Sequence, residues 1–135
     1  HFDWKYPDRV SATIGYSEET AHLIYGGADA FLMPSQFEPC GLSQLISMRY
    51  GTIPIVRETG GLKDTVEAYN EIWHTGNGFS FANYNAGDMM VVVRYAYDVY
   101  CNHQKDWRAM MKRCMVMDNS WQNSAKKYES LYLSL

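Results

Sequence analysis

The architecture of this chain is most plainly encoded in residues 29–61, which read DAFLMPSQFEPCGLSQLISMRYGTIPIVRETGG. The apolar run that ends before Pro34 predicts a buried strand over residues 29–33. A helical spacing of apolar residues then extends from Leu42 to Gly51, a stop signal. Residues 53–56 predict the next strand, and Thr59-Gly60-Gly61 opens another short helix. This strand–loop–helix–strand order predicts parallel βαβ units with helices on both faces of the sheet.

The flanking segments extend the same pattern. Residues 12–15 predict a short strand, and Ser17 is a candidate cap for a helix that runs to about Gly27. Residues 78–81 predict a last short strand, followed by three helices at about 85–100, 105–117 and 120–135. We therefore expect an α/β fold, with a Rossmann-like parallel sheet, flanking helices and a helical C-terminal tail.

Length and composition narrow the classes of protein to consider. The 135 residues fit a single domain over residues 1–135, and the chain begins at His1 without an initiator methionine, which suggests a segment of a longer polypeptide. A net charge of −3 argues against a nucleic-acid binder, which needs a basic face. Residues 89–93, the longest apolar run, are too short to cross a membrane.

Neither a metal site nor a disulfide framework is expected. The three cysteines are odd in number and lack CxxC spacing, which favours a reducing compartment. The four histidines form no pair at metal-ligand spacing, so we expect no metal and no cofactor. A bacterial cytoplasm is the first choice of compartment, with the plastid stroma as the alternative.

Two loops have the position and residues of a ligand site. Residues 34–43 and 57–61 each follow a predicted strand and lead into a helix, and ligands of open parallel sheets bind at the carboxyl ends of the strands. Gly41 permits a close approach to the main chain, and helix N-termini present free N–H groups to anions. Two such termini at one crevice would suit a diphosphate.

Glu38 does not fit a site for phosphate alone, because a diphosphate repels a carboxylate. Sugar hydroxyls are natural donors to a carboxylate, so a sugar joined to a diphosphate would satisfy the whole loop. The alternative is that Glu38 caps a helix or faces water. The local pattern does not decide between these two interpretations.

The sequence gives weaker indications of a binding or catalytic role for several other side chains. Tyr16 could stack on a base, although a tyrosine at a strand end more often packs. Cys40 has no basic neighbour in sequence, so we expect a small thiol and no covalent catalysis. Thr59 could be only a cap, Gly60-Gly61 only a turn, and Lys63 only a solvated lysine. The aromatic residues of the predicted C-terminal helices are expected to pack; they are Tyr95, Tyr97, Tyr100, Trp107, Trp121, Tyr128 and Tyr132.

Several motifs together point to a known family. They are Ile14-Gly15-Tyr16, Gly26-Gly27-Ala28-Asp29, residues 34–45 (PSQFEPCGLSQL), residues 48–57 (MRYGTIPIVR), residues 59–66 (TGGLKDTV) and, more weakly, residues 117–122 (MDNSWQ). In these motifs the chain closely resembles bacterial glycogen synthases and plant starch synthases. The resemblance spans most of the chain and implies the C-terminal, nucleotide-sugar-binding lobe of a retaining GT-B glycosyltransferase.

The resemblance also implies an activity and a set of site residues. The family transfers glucose from ADP-glucose to the non-reducing end of an α-1,4-glucan, with retention of configuration and without a metal. Glu38 is then the catalytic carboxylate that holds glucose hydroxyls, and Tyr16 stacks on adenine. The remaining substrate-binding residues expected in the two loops are Cys40, Gly41, Leu42, Ser43, Thr59, Gly60 and Gly61.

This chain departs from the family pattern in two respects, and three other assignments are considered. Related retaining transferases often carry a second glutamate eight positions after the first, where this chain has Ile46, as the synthase branch tends to. The family's basic residues for the diphosphate lie upstream, and the acceptor-binding N-terminal lobe of the same chain is a required partner. We therefore expect this segment alone to be inactive. The alternatives are a UDP-glucose donor, another nucleotide-sugar transferase, or a non-catalytic carbohydrate-binding module.

Overall fold

The computed structural model describes residues 1–135, which form seven helices and three strands. The strands are β1 (Ala30–Met33), β2 (Ile53–Arg57) and β3 (Phe79–Phe81). The helices are α1 (Phe2–Lys5), α2 (Glu18–Gly27), α3 (Ser43–Tyr50), α4 (Gly60–Thr65), α5 (Ala86–Asn102), α6 (Gln104–Val116) and α7 (Trp121–Leu133). No helix combines the length and hydropathy that crossing a bilayer requires.

The three strands form one parallel sheet in the order β1-β2-β3. Met33 lies opposite Val56, and Val56 lies opposite Ser80, so the carboxyl ends of the strands meet at one edge. α3 connects β1 to β2, and α4 lies in the connection from β2 to β3. The expected α/β class, a Rossmann-like parallel sheet with flanking helices and a helical C-terminal tail, is confirmed.

The helix boundaries follow local chemistry closely. The side chains of Ser17, Asn85 and Ser120 each accept an N–H bond at the first turn of α2, α5 and α7. Gly51 ends α3 in the left-handed region, with φ of 86°, where a side chain would be strained. These positions agree with the predicted starts and stops to within one or two residues.

The core lies around the central strand β2, where Ile53 and Val56 are fully buried. Residues from α3, α4, α5 and α6 close over it, including Met48, Leu62, Val99 and Met110. Burial also raises the pKa of the Cys114 thiol to about 11. Trp107 is buried here, and Tyr95 and Tyr100 pack against the same cluster, as expected.

Two sequence-based expectations are wrong. Residues 12–15 form no strand, and the Ile14 side chain is fully exposed. Their sequence favours an extended backbone, but a strand also needs a hydrogen-bonding neighbour, and β1 pairs only with β2. The aromatic residues Tyr97, Trp121, Tyr128 and Tyr132 are exposed and do not pack as expected.

Candidate functional site

The two predicted loops are in direct main-chain contact. The acidic loop, residues 34–42, follows β1, and the glycine turn, residues 58–61, follows β2 at the same sheet edge. A Cβ atom on Gly60 would lie closer than 3.0 Å to the carbonyl oxygen of Glu38, and one on Gly61 would meet the carbonyl group of Cys40. Only glycine fits at these two positions, so Gly60-Gly61 is more than a simple turn.

Glu38 is half-buried at this junction and caps neither neighbouring helix. The N-terminal positions of α3 and α4, Leu42 and Thr59, make no side-chain capping bond, and no other side chain caps them. Glu38 therefore does not cap a neighbouring helix, and Thr59 occupies the N-cap position of α4 without a side-chain capping bond. The first N–H groups of α3, which directly follow the acidic loop, are thereby left free to bind an anion.

The buried side-chain amide of Gln44 links the acidic loop to α4 by hydrogen bonds. Gln44, on the inner face of α3, is fully buried, and its Nε2 donates to Thr65 Oγ1 at 3.1 Å and more weakly to the Cys40 carbonyl at 3.4 Å. Thr65 Oγ1 in turn donates to the Gly61 carbonyl at 2.6 Å. The Gln44 Oε1 atom is buried without a partner. These bonds connect α3, α4 and both loops.

Arg57 fixes the other end of the acidic loop. Its Nη1 donates to the Gln36 carbonyl at 2.9 Å and to the Ser35 carbonyl at 3.4 Å. The guanidinium lies over the ring of Tyr84, 5.4 Å from its centroid. The Arg57 guanidinium therefore binds the loop backbone and an aromatic ring, and it does not form an open site for an anion.

The roles of Gln44, Thr65 and Arg57 were not predicted. One signal was available for Gln44, which stands four residues before Met48 on the face of α3 that the helical period directs inward. A glutamine at such a position needs buried hydrogen-bond partners. For Arg57 no sequence pattern indicated that the side chain would turn back to the preceding loop.

The remaining predicted site residues are more exposed. Leu42 and Cys40 are exposed at the tip of the acidic loop, Ser43 is half-buried at the start of α3, and Lys63 faces solvent on α4. Tyr16 is 92% exposed beside α2, in a shallow pocket whose lining includes no residue of either loop. The structure therefore brings Glu38, Cys40, Gly60 and Gly61 together, and leaves Tyr16 apart from them.

Two larger concave surfaces, of about 650 Å³ each, lie elsewhere. One lies between α3 and the segment that connects α6 to α7, where a hydrogen bond from Ser120 lowers the pKa of Asp118. The other lies along α7. No group of three or more His, Cys, Asp or Glu side chains is arranged to hold a metal ion.

The family model for glycosyl transferases group 1 matches residues 5–113. Over its whole length the chain is 66% identical to a glycogen synthase of Lachnospira eligens and 58% identical to one of Lachnoclostridium phytofermentans. It spans 28% of the length of each of these relatives.

A solved structure supports the same assignment. The catalytic domain of starch synthase IV from Arabidopsis thaliana, bound to ADP and acarbose, superposes with a TM-score of 0.85 at 36% identity. The alignment covers 98% of this chain and 28% of that one. The two adjoining loops, the parallel sheet and these similarities together show that the chain belongs to the group 1 glycosyl transferases and is homologous to glycogen and starch synthases.

Proposed function

We propose that residues 1–135 are the donor-binding, C-terminal lobe of an enzyme that transfers glucose from ADP-glucose to the non-reducing end of an α-1,4-glucan, with retention of configuration. The observation that carries this proposal is the junction of the acidic loop with the glycine turn. There the main chain of Glu38, whose side chain caps no helix, contacts the start of α4 at Gly60, and its loop leads into the uncapped start of α3. The bound ADP and acarbose of the starch synthase relative support a nucleotide and a glucan as ligands.

The proposed chemistry follows from this arrangement. The N–H groups at the start of α3, with Gly41, Leu42 and Ser43, bind the diphosphate and stabilise the negative charge that develops on it as the glycosidic bond breaks. Glu38 accepts hydrogen bonds from the glucose hydroxyls. Thr59, Gly60 and Gly61 of the glycine turn also contact the sugar. Tyr16 stacks on adenine from its position beside α2.

The carboxylates near the junction bear on the stereochemistry. Glu58 of the glycine turn accepts a hydrogen bond from Ser80 Oγ at 2.8 Å, and Glu38 is the carboxylate that we assign to the sugar. Retaining glycosidases use two carboxyl groups about 5 Å apart, one of them a nucleophile. The position eight residues after Glu38 is Ile46, so no second carboxylate comes from that point of α3. We infer that the acceptor attacks on the face from which the diphosphate leaves, without a covalent glycosyl-enzyme.

The N-terminal lobe of the same polypeptide is the proposed partner of this domain. α7 has no buried residue, and Trp121, Tyr128 and Tyr132 are exposed along one stripe of it. A helix with an unpartnered apolar stripe needs a surface to cover it. The chain spans 28% of the length of its relative. We therefore propose that the rest of the polypeptide supplies this surface and the acceptor site, and that the isolated segment is inactive.

Steady-state kinetics of the full-length enzyme test the proposal. Glucose incorporation into glycogen is measured with ADP-glucose and with UDP-glucose as donors, for wild type, Glu38→Gln and a matched control, Glu67→Gln, which changes an exposed glutamate. Glu38→Gln should lower kcat by about a hundredfold, because its bonds tighten in the transition state. Unchanged turnover of a folded Glu38→Gln variant would refute the role of Glu38, and preference for UDP-glucose would refute the donor assignment.

A further inference from the structure

One buried side chain at the candidate site carries an atom that no protein hydrogen bond satisfies. Gln44 lies on the inner face of α3 and is fully buried, and its Oε1 atom has no donor. Burying an amide oxygen without a donor costs free energy, and an apolar side chain of similar size would avoid that cost. The stability of the core therefore does not explain a glutamine at this position.

The orientation of the Gln44 amide is fixed by the chemistry of its partners. Nε2 donates to Thr65 Oγ1 at 3.1 Å and to the Cys40 carbonyl at 3.4 Å. A carbonyl can only accept, and the single hydroxyl proton of Thr65 is already donated to the Gly61 carbonyl at 2.6 Å. Both partners therefore require the NH2 group, since the reversed amide would place Oε1 against two acceptors.

The unpaired oxygen faces Gly41 of the acidic loop. A Cβ atom at Gly41 would lie 2.5 Å from Gln44 Oε1 and 2.9 Å from Nε2, and the backbone there is left-handed, with φ of 70°. The amide thus packs against the main chain of the loop, in space that only a glycine leaves open. Gln44 therefore contacts two successive loop residues, Cys40 through a hydrogen bond and Gly41 through packing.

Two side chains bond the main chain of the acidic loop, one on each side of Glu38. Arg57 donates to the carbonyl groups of residues 35–36, which precede Glu38, and Gln44 donates to that of Cys40, which follows it. Without the amide of Gln44, the second half of the loop would be held by its packing against the glycine turn and by no side-chain hydrogen bond. The position of Glu38 would then be fixed from one side only.

We infer that Gln44 is a positioning residue for glucose transfer, whose amide holds the second half of the acidic loop against α4 and thereby fixes the position of Glu38. This role rests on the proposed function. The unpaired Oε1 is then the consequence of a side chain that is needed for its NH2 group. A shift of about 1 Å at a group that acts on the substrate can lower a rate about a hundredfold without unfolding the protein.

A methionine at position 44 separates positioning from stability. Gln44→Met has nearly the same length and fills the same space, removes the unpaired oxygen and leaves the bond from Thr65 to Gly61 in place. In the full-length enzyme we expect a urea midpoint at or above that of wild type. The kcat with ADP-glucose and glycogen should nevertheless fall about tenfold or more, with a smaller change in the donor KM, because the loop is no longer held.

The matched control is Ser47→Ala on the same buried face of α3. Ser47 Oγ donates to the Gln44 carbonyl of its own helix at 2.9 Å and makes no bond to the loop, so kcat should stay at the wild-type value. Hydrogen–deuterium exchange without substrate gives a measurement that requires no activity. Exchange in residues 38–42 should be faster in Gln44→Met than in wild type and unchanged in Ser47→Ala.

A double-mutant cycle with Glu38→Gln identifies the group through which Gln44 acts. Adding Gln44→Met to Glu38→Gln should lower kcat by less than about threefold more, since the carboxylate to be positioned is already gone. Two losses that simply multiply would overturn the inference, as would wild-type kcat, unchanged exchange or a lowered urea midpoint in Gln44→Met. If Glu38→Gln loses turnover and Gln44→Met does not, this inference fails and the proposed function stands. Wild-type turnover in Glu38→Gln would refute the proposed role of Glu38, and this inference with it.

Discussion

Substituting Gly61 by alanine tests whether the main-chain contact between the two loops builds the site. The new Cβ would lie closer than 3.0 Å to the oxygen, carbon and Cα atoms of Cys40. These are backbone atoms, so no rotamer change relieves the overlap. Overpacking of this kind costs about 1 to 3 kcal/mol, and the chain can avoid it only by moving the acidic loop away from α4.

Overpacking and displacement of the acidic loop each have a measurable result. A displacement of about 1 Å at the carboxylate of Glu38 would lower kcat/KM about a hundredfold. Gly60→Ala should be worse, because the overlap with Glu38 adds to a left-handed φ of 46°, which costs a further 1 to 2 kcal/mol or so. The matched control is Gly27→Ala, where no atom lies within 4 Å of the added Cβ.

The assay combines urea unfolding of the full-length protein, followed by fluorescence, with glucose transfer measured over a range of donor concentrations. We expect Gly27→Ala to stay within about 1 kcal/mol of wild type and to keep full activity. A Gly61→Ala enzyme with wild-type stability and wild-type kcat/KM would show that the close approach of Cys40 to the glycine turn is not required for the site.

Three further predictions concern single side chains. Tyr16→Ala should raise the donor KM and leave kcat nearly unchanged, because stacking is similar in ground and transition states; a pure kcat defect would contradict the stacking role. Thr65→Val should destabilise the protein by about 1 to 3 kcal/mol in urea unfolding, since Gln44 loses its acceptor, whereas Thr13→Val on an exposed residue should be neutral. The raised pKa of Cys114, about 11, means that unfolding releases its proton more readily. Stability should therefore be constant below about pH 9 and fall by roughly 2 to 3 kcal/mol as pH rises to 11, and Cys114→Ala should flatten this fall in urea titrations at pH 8.5 and 10.5.

The elements that could be predicted are those whose cause is local. Ser17, Asn85 and Ser120 begin helices because each side chain accepts an N–H bond three residues on. Gly51 ends α3 because it tolerates a left-handed backbone. In the same way, the placement of the two loops at one edge followed from the parallel order of the strands.

The elements that could not be predicted depend on partners distant in sequence. Residues 12–15 have the composition of a strand, but composition does not supply a neighbouring strand. The stripe on α7 has the period of a packed helix, and the sequence does not say what it packs against. Gln44 finds Thr65 across 21 positions, and no local rule selects that pair.

The contact between the acidic loop and the glycine turn has a consequence for how donor preference can diversify. Because the carbonyl groups of Glu38 and Cys40 make this contact, neighbouring side chains such as Phe37 and Leu42 carry little of the packing. A library randomised at positions 37 and 42 should retain folded members with altered sugar selectivity. One randomised at Gly60 and Gly61 should return the parental glycines.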